Sequence, residues 1–341
     1  MDESLRWRYE KVAFLALSTL KGVGFRSLLK IAQEGRSYYN VIRSPGEYGL
    51  DKYFPVINTA AQIQLWHAGV ELARKLAAQK TQLIFRPEPA FPANLRAIPD
   101  APEWLFVQGQ MDNLHKQSVT VVGTRKPSED GIFLTRFLLA ALAIRSCPTV
   151  SGLAAGIDQV VHTESIRYGI PTIAVLGTGI LQNYPKGSEK LREEIVNSGG
   201  TIVTEYLPTQ SYSAENFVRR NRLQAGLGEI LFPTEWSIKS GTAHTVKFAH
   251  RYNKKIVNLH LPLMSERRPE IRFATQNYGA LAMEVPTELD TLQLFLTLFT
   301  ESFDIDISNP PPNSGIDDSD LDAFYETETK NQESDPQIPL L

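Results

Sequence analysis

Three runs of the chain place glycine and hydroxyl residues directly after β-branched stretches. Val119–Val122 is followed by Gly123-Thr124-Arg125-Lys126-Pro127-Ser128, and Val150 by Ser151-Gly152-Leu153-Ala154-Ala155-Gly156-Ile157-Asp158. Ala174–Leu176 is followed by Gly177-Thr178-Gly179. Glycine lets backbone approach a ligand closely, and a helix amino-terminus offers unpaired N–H groups that favour an anion. One such loop says little, because glycine after a strand is common; three on neighbouring strands would form a phosphate-seeking rim.

Cations stand where they could serve that rim. Arg125 and Lys126 follow the first strand, and Lys186 follows Tyr184-Pro185. Arg219-Arg220-Asn221-Arg222 falls in the first half of an expected helix. Arginine's planar fork matches phosphate oxygens in pairs, while lysine acts as a point charge. By composition alone the arginine run reads more readily as a solvated helix face than as a phosphate site. Ser240-Gly241-Thr242 opens the next helix and could bind a phosphate or simply cap the helix.

These loops need a scaffold, and the pattern between them supplies one. Strands are expected at Ser118–Val122, Thr149–Ser151, Thr172–Leu176, Thr201–Thr204, Ile230–Phe232 and Lys255–Leu259, with helices at about 131–145, 157–168, 187–197, 215–227 and 241–253. Such alternation predicts an α/β domain over 81–295, a doubly wound, mainly parallel sheet that binds ligands beyond the carboxyl ends of its strands. Residues 1–80 read as a helical domain: Val12, Leu15, Leu17 and Leu20, then Leu28, Leu29 and Ile31, flank a Lys21-Gly22-Val23-Gly24 turn. A further helix is expected from Thr59 to Ala78 with Ile63, Trp66, Val70 and Leu76 on one stripe. Ser44-Pro45-Gly46 and Phe54-Pro55 mark loops. Pro233 and Thr234 predict an edge or distorted strand.

The 341 residues carry a net charge of −3 that is unevenly divided. Residues 301–341 hold eleven Asp and Glu against Lys330 alone, a balance of −10, and the first 300 residues hold 27 acids against 34 Lys and Arg, a balance of +7. A basic body attracts polyanions such as nucleic acid or nucleotides. The acidic segment, with Pro310-Pro311-Pro312 near its start, is expected to be disordered. It reads first as a solubilising tail, and second as a docking segment in which Leu321, Phe324 and Tyr325, or Ile338-Pro339-Leu340-Leu341, meet a partner. The opening residues show no basic stretch leading into an apolar one, and Cys147 is the only cysteine, so a reducing cytoplasm is expected.

No G-x-x-x-x-G-K-[ST], H-E-x-x-H or G-x-S-x-G occurs, which speaks against a P-loop ATPase, a zincin and an α/β-hydrolase. The six histidines show no metal-ligand grouping, and no cofactor is expected. Asp158 and His162, four apart, could share a helix face, as a structural hydrogen bond more readily than as an acid–base pair.

At these residues the sequence resembles the DprA (Smf) family of DNA-processing proteins. Phe91-Pro92-Ala93-Asn94-Leu95-Arg96, Ile98–Pro102 and Leu105–Gly109 resemble the family's opening segment. Val121–Ser128 with Gly131 resembles its G-[ST]-R loop, and Ser151–Asp158 with His162 its S-G-x-A-x-G-I-D…H loop. Thr172–Gly179, Tyr184-Pro185-Lys186, Thr204-Glu205, Phe217, Arg219–Arg222 and Ser240-Gly241-Thr242 follow in family order. The resemblance is specific over about 91–258 and weaker over about 11–34.

It implies an extended Rossmann-like domain behind a small SAM- or helix-hairpin-helix-like module, binding single-stranded DNA without catalysis. It further implies protection of incoming strands, loading of a RecA-type recombinase during transformation, and a homodimer. The implied DNA contacts are Arg125, Lys186 and Arg220-Asn221-Arg222, with Gly152–Gly156 and Ser240-Gly241-Thr242 shaping the pocket. The competing expectation is a nucleotide sensor or hydrolase using Asp158, Glu205 or Glu235 as a carboxylate, although the P-G-G-x-G-T-x-x-E pattern of such enzymes is absent. A third expectation is that the acidic segment competes with DNA for its own cationic groove.

Overall fold

The computed structural model describes residues 3–49, 59–143 and 147–286. The expected Phe54-Pro55 loop and the acidic segment 301–341 lie outside them. In chain order the helices are α1 (Glu3–Ser18), α2 (Phe25–Gln33), α3 (Tyr38–Arg43), α4 (Thr59–Ala78), α5 (Ala93–Arg96), α6 (Glu129–Ala143), α7 (Ile157–Arg167), α8 (Glu189–Asn197), α9 (Ala214–Leu227), α10 (Gly241–Arg251) and α11 (Pro269–Tyr278). The strands are β1 (Thr81–Phe85), β2 (Trp104–Gly109), β3 (Val119–Gly123), β4 (Thr149–Ser151), β5 (Thr172–Val175), β6 (Thr201–Thr204), β7 (Ile230–Glu235), β8 (Lys255–His260) and β9 (Leu281–Glu284). They belong to two compact units, Met1–Lys116 with Pro171–Ser211, and Gln117–Ile170 with the chain from Tyr212 onward.

In the first unit, β1 pairs antiparallel with β2, β2 antiparallel with β6, and β5 parallel with β6. The amino-terminal helices cover an aromatic core. Phe14 of α1 meets Tyr38, Phe85 and Trp104 at ring separations of 5.1, 5.6 and 4.8 Å. Trp104 is buried yet satisfied, because its indole N–H donates to the Glu205 carbonyl at 2.6 Å.

The second unit is fully parallel, in the order β4-β3-β7-β8-β9. Successive side chains on a strand point to opposite faces, and the two faces are filled separately. Val119, Val121, Ile230, Phe232, Val257 and Leu259 pack with Leu134, Leu138, Leu139 and Leu142 of α6 and with Ile157 and Val161 of α7. Val122, Leu231 and Ile256 pack with Ala225 of α9 and Val246, Phe248 and Ala249 of α10. Helices on both faces explain why these strands read as continuous apolar runs. The α/β, mainly parallel class expected from the alternation is the class found.

Two expectations need correction. Pro233 sits in β7, which is an interior strand between β3 and β8, not an edge. The ladder from β7 to β8 covers only Ile230 and Leu231, so the missing N–H breaks nothing on that side. Towards β3 the register shifts at Val122/Gly123, opposite Pro233 and Glu235, so the expected distortion is present as a bulge. The α4 stripe is also displaced. Leu65, Gly69 and Leu76 are buried, whereas Ile63 is 51% exposed. Gly69 decides this register: a Cβ there would lie 2.5 Å from the Val12 carbonyl oxygen and 2.8 Å from the Ala16 Cβ, so α1 and α4 touch backbone to backbone.

Among the described residues no helix is long and apolar enough to cross a membrane, and no group of three or more His, Cys, Asp or Glu could hold a metal ion. Gly69→Val should force α1 from α4 and cost about 1–3 kcal/mol in urea denaturation, while Ile63→Ser should stay within about 0.5 kcal/mol of the wild type. The opposite ranking would restore the stripe first expected.

Candidate nucleic-acid interface

In the second unit, β4 and β7 flank β3 on opposite sides. The chain therefore leaves the neighbouring strands β3 and β7 in different directions, and the crevice between their carboxyl ends is where such sheets bind ligands. Five segments are tied together there by hydrogen bonds. Thr124 N–H donates to the Glu235 carbonyl at 2.7 Å, and Ile157 N–H donates to the Thr124 carbonyl at 3.1 Å. Thr242 Oγ1 donates to the Gly123 carbonyl at 3.1 Å, and Asn221 Nδ2 donates to the Gly241 carbonyl at 3.0 Å. Gly156, at φ +84°, closes the assembly, since a Cβ on it would meet the Thr124 carbonyl oxygen at 2.4 Å. The loops after β3 and β4, the end of β7, the middle of α9 and the start of α10 thus form one hydrogen-bonded constellation.

Arg220 lies at its centre. Its side chain is 4% exposed and crosses the Gly152 backbone so closely that a Cβ on Gly152 would sit 1.9 Å from Nη1 and 2.5 Å from Asp158 Oδ2. Asp158 accepts the N–H groups of Gly152 at 3.1 Å and Ala154 at 3.4 Å. The Phe217 ring has guanidinium groups of both Arg125 and Arg220 over it, at 5.8 and 5.9 Å from its centroid. Tyr212, an exposed residue, stacks on Phe217 at 6.4 Å with ring planes 27° apart. Ser213 caps α9 by accepting from Asn216 N–H at 3.1 Å, which fixes where Phe217 and Arg220 begin.

The sequence-derived candidates thus separate. Arg125, Arg220, Gly152, Asn221 and Gly241 gather at one rim with Gly123, Thr124, Gly156 and Thr242, and Lys126 stands exposed on the same loop. The arginine run is no solvated face: Arg220, Asn221 and Arg222 are buried and Arg219 is half-buried. Ser151, fully buried, donates Oγ to the Val121 carbonyl at 2.7 Å, and Ser240 Oγ donates to the Ser237 carbonyl at 2.7 Å, so both hydroxyl protons are already engaged. Lys186 belongs to the first unit, exposed beside Pro185. There the buried Arg192 shapes the preceding loop by donating to the Ile180 and Gln182 carbonyls at 2.8 and 2.6 Å. Tyr212 was not anticipated and Phe217 only by family order; an aromatic three residues before an arginine on one helix was the available signal.

The chain is similar to several known proteins. The family described as DNA recombination-mediator protein A matches residues 82–283. Protein Smf of Synechocystis sp. is 33% identical over 261 residues, covering 73% of this chain and 64% of that protein. DNA processing protein DprA of Streptococcus pneumoniae is 36% identical over 159 residues, 47% of this chain and 56% of that protein. The chain therefore spans less than two thirds of the length of either relative. An X-ray structure of DprA from Streptococcus pneumoniae superposes with a TM-score of 0.62 at 25% identity, covering 81% of this chain and 94% of that one. A DprA structure from Helicobacter pylori, described for its single-stranded DNA binding mode, has a TM-score of 0.55 at 23% identity over 65% of this chain and 96% of that one.

Burial is the largest influence on the titratable groups at this centre. Burial raises the Asp158 pKa, opposed by the Arg220 charge and the hydrogen bonds to its carboxylate. Burial first, and the Arg220 charge second, push His162 down to about 3. His162 is therefore neutral in the fold, whereas an unfolded chain protonates it near 6.5. Its stabilising contribution is full above that value and is lost as pH falls towards about 3. Chemical denaturation between pH 6 and 4 should show a loss of about 1 kcal/mol per pH unit from this group, and His162→Gln should flatten the profile by that amount. An unchanged slope would mean that His162 takes up its proton in the folded state.

Proposed function

The chain belongs to the DNA recombination-mediator protein A family, and on that premise we propose that it binds single-stranded DNA, without catalysis, in recombination or transformation. The observation that carries this reading is the aromatic–arginine stack of Tyr212, Phe217, Arg125 and Arg220 beside the Gly123–Ser128 and Ser237–Thr242 loops. Single strands are bound without strict sequence preference by aromatic rings that stack bases and cations that track the backbone. In this reading Tyr212 and Phe217 face bases, and Arg125 and Lys126 meet phosphates. Buried Arg220 and Arg222 supply a fixed positive field, and Asn221 positions the Gly241 turn. The basic balance of the first 300 residues supports a polyanionic partner.

Lys186 is proposed as a phosphate contact in its own right. A cytoplasmic homodimer that protects strands and helps load a RecA-type recombinase completes the reading. Sedimentation of the full chain, with and without a recombinase and DNA, tests those two associations.

Hydrolysis has less support, because two of the three carboxylates named for it, Glu235 and Asp158, already serve the fold. Glu235 Oε2 accepts the Ser128 N–H at 2.9 Å, and Asp158 is held by the Gly152 and Ala154 amides. Release of free base from nucleoside monophosphates, abolished in Glu235→Gln, would reverse this ranking.

Arg125→Ala should weaken binding of a labelled oligothymidylate by about 1–3 kcal/mol. Phe217→Ala should cost about 1–3 kcal/mol through lost stacking. The two differ in their salt response: the slope of log affinity against log salt should fall by about one for Arg125→Ala and stay unchanged for Phe217→Ala. If both variants bind as the wild type does, this rim is not the DNA site.

A further inference from the structure

Helix α6 has an outward face that the described residues of its unit leave exposed. After Glu129 and Asp130 its only charged residue is Arg136, and the helix is apolar nearly all round. Such a helix belongs in an interior or under a partner. Its inner leucines fill the sheet core and Phe137 packs partly against them, while Phe133, Arg136 and Ala140 are exposed at helical spacing on the other side. Phe133 is 47% exposed and stacks on Phe137 at 6.2 Å with ring planes 29° apart. The patch continues onto α7. Arg136 Nε and Arg167 Nη1 both reach the buried Glu164 carboxylate, at 2.8 and 3.4 Å, and Arg167 lies over the ring of Tyr168, itself 38% exposed. Two cations thus share one carboxylate amid three exposed or half-buried rings. Aromatics and arginine are the residues enriched at protein interfaces.

The chain itself holds a matching segment. Leu321, Phe324 and Tyr325 stand at i, i+3 and i+4, the spacing by which a helical segment anchors in an apolar groove. Residues 317–328 surround them with six acids and no Lys or Arg. The exit point also fits. The described chain stops at Pro286, and the adjoining Val285 is buried in the same cluster as Leu134, Leu138 and Leu142 of α6. The Val285 side chain thus faces the side of the sheet that α6 covers. About thirty residues separate Pro286 from Asp317; a flexible linker of that length would span roughly 30 Å and would give a tethered segment a millimolar effective concentration.

We propose that residues 317–328 dock on the outer face of α6, with Leu321, Phe324 and Tyr325 against Phe133, Phe137 and Tyr168 and the flanking acids against Arg136 and Arg167. A single strand of DNA fits this face less well, since Glu129 and Asp130 stand on α6 between it and the cationic loop, and Glu164 offsets one of its two arginines. The proposal does not depend on DNA binding elsewhere.

Disulfide trapping in the full chain tests it. Ala140 is exposed on the proposed face, and Lys247 is exposed on α10, whose core lies on the opposite side of the sheet. Cys147 is buried, so the unsubstituted chain serves as the background. At micromolar protein with oxidised glutathione, Ala140→Cys with Ala323→Cys should close an intramolecular disulfide about ten times faster than Lys247→Cys with Ala323→Cys. Adding Leu321→Ser, Phe324→Ser and Tyr325→Ser should remove the difference. Equal rates for the two pairs would overturn the proposal. So would crosslinks between chains at Ala140→Cys, which would assign the face to a second copy. Protection of Ala140→Cys by oligothymidylate but not by the segment would assign it to DNA.

Discussion

A guanidinium removed from water has to be held by fixed dipoles or opposite charge, and Arg220 imposes that requirement on the whole rim. Asp158 stands beside it as the opposing charge, and Asp158 in turn holds the Gly152 and Ala154 amides. The arrangement leaves no room for a side chain at Gly152. Removing one partner from a buried ionic pair costs on the order of 3–5 kcal/mol in general. The constellation is therefore an all-or-nothing feature of the fold rather than a set of independent surface charges. Arg125 and Phe217 are oriented by contact with this centre, so what meets solvent is preorganised by what does not.

The parallel sheet of the second unit makes this centre possible. Strands β3 and β7 run side by side, and their following helices lie on opposite faces. Glu235 lies at the end of β7, past the bulge at Pro233. There its carbonyl accepts from Thr124 and its carboxylate accepts from Ser128 at the start of α6. The strand thus ends as the support for the neighbouring loop. The first unit is built differently, with antiparallel pairs and an aromatic core under helices, and its Lys186 loop is shaped by one buried arginine, Arg192.

Legibility from sequence followed the range of the interactions involved. The strands of the parallel sheet and the helices between them were readable because β-branched runs and 3.6-residue spacing are local signals. Strand β6 and helix α4 fall where they were expected, and most other boundaries within about two residues. Strands β1, β2 and β9 were missed. Leu281 and Ala282 of β9 are exposed, and Trp104–Val107 is an apolar run that reads equally well as helix. The α4 stripe was misplaced because hydrophobicity ranked Ile63 above Gly69, whereas helix contact selected the residue that lets two backbones meet.

The amino-acid sequence by itself determined the α/β class, the family, and the loops that would carry chemistry, because each is written in neighbouring residues or in motif order. It could not determine that Arg220 and Arg222 are buried while Arg125 remains half-exposed, or that Ser151 and Ser240 have hydroxyl protons already donated. Burial and partner choice depend on residues separated by tens of positions, such as Arg220 against Gly152 and Thr242 against Gly123. Only the packed sheet brings those together, since strand order sets which loops become neighbours and no local pattern encodes strand order.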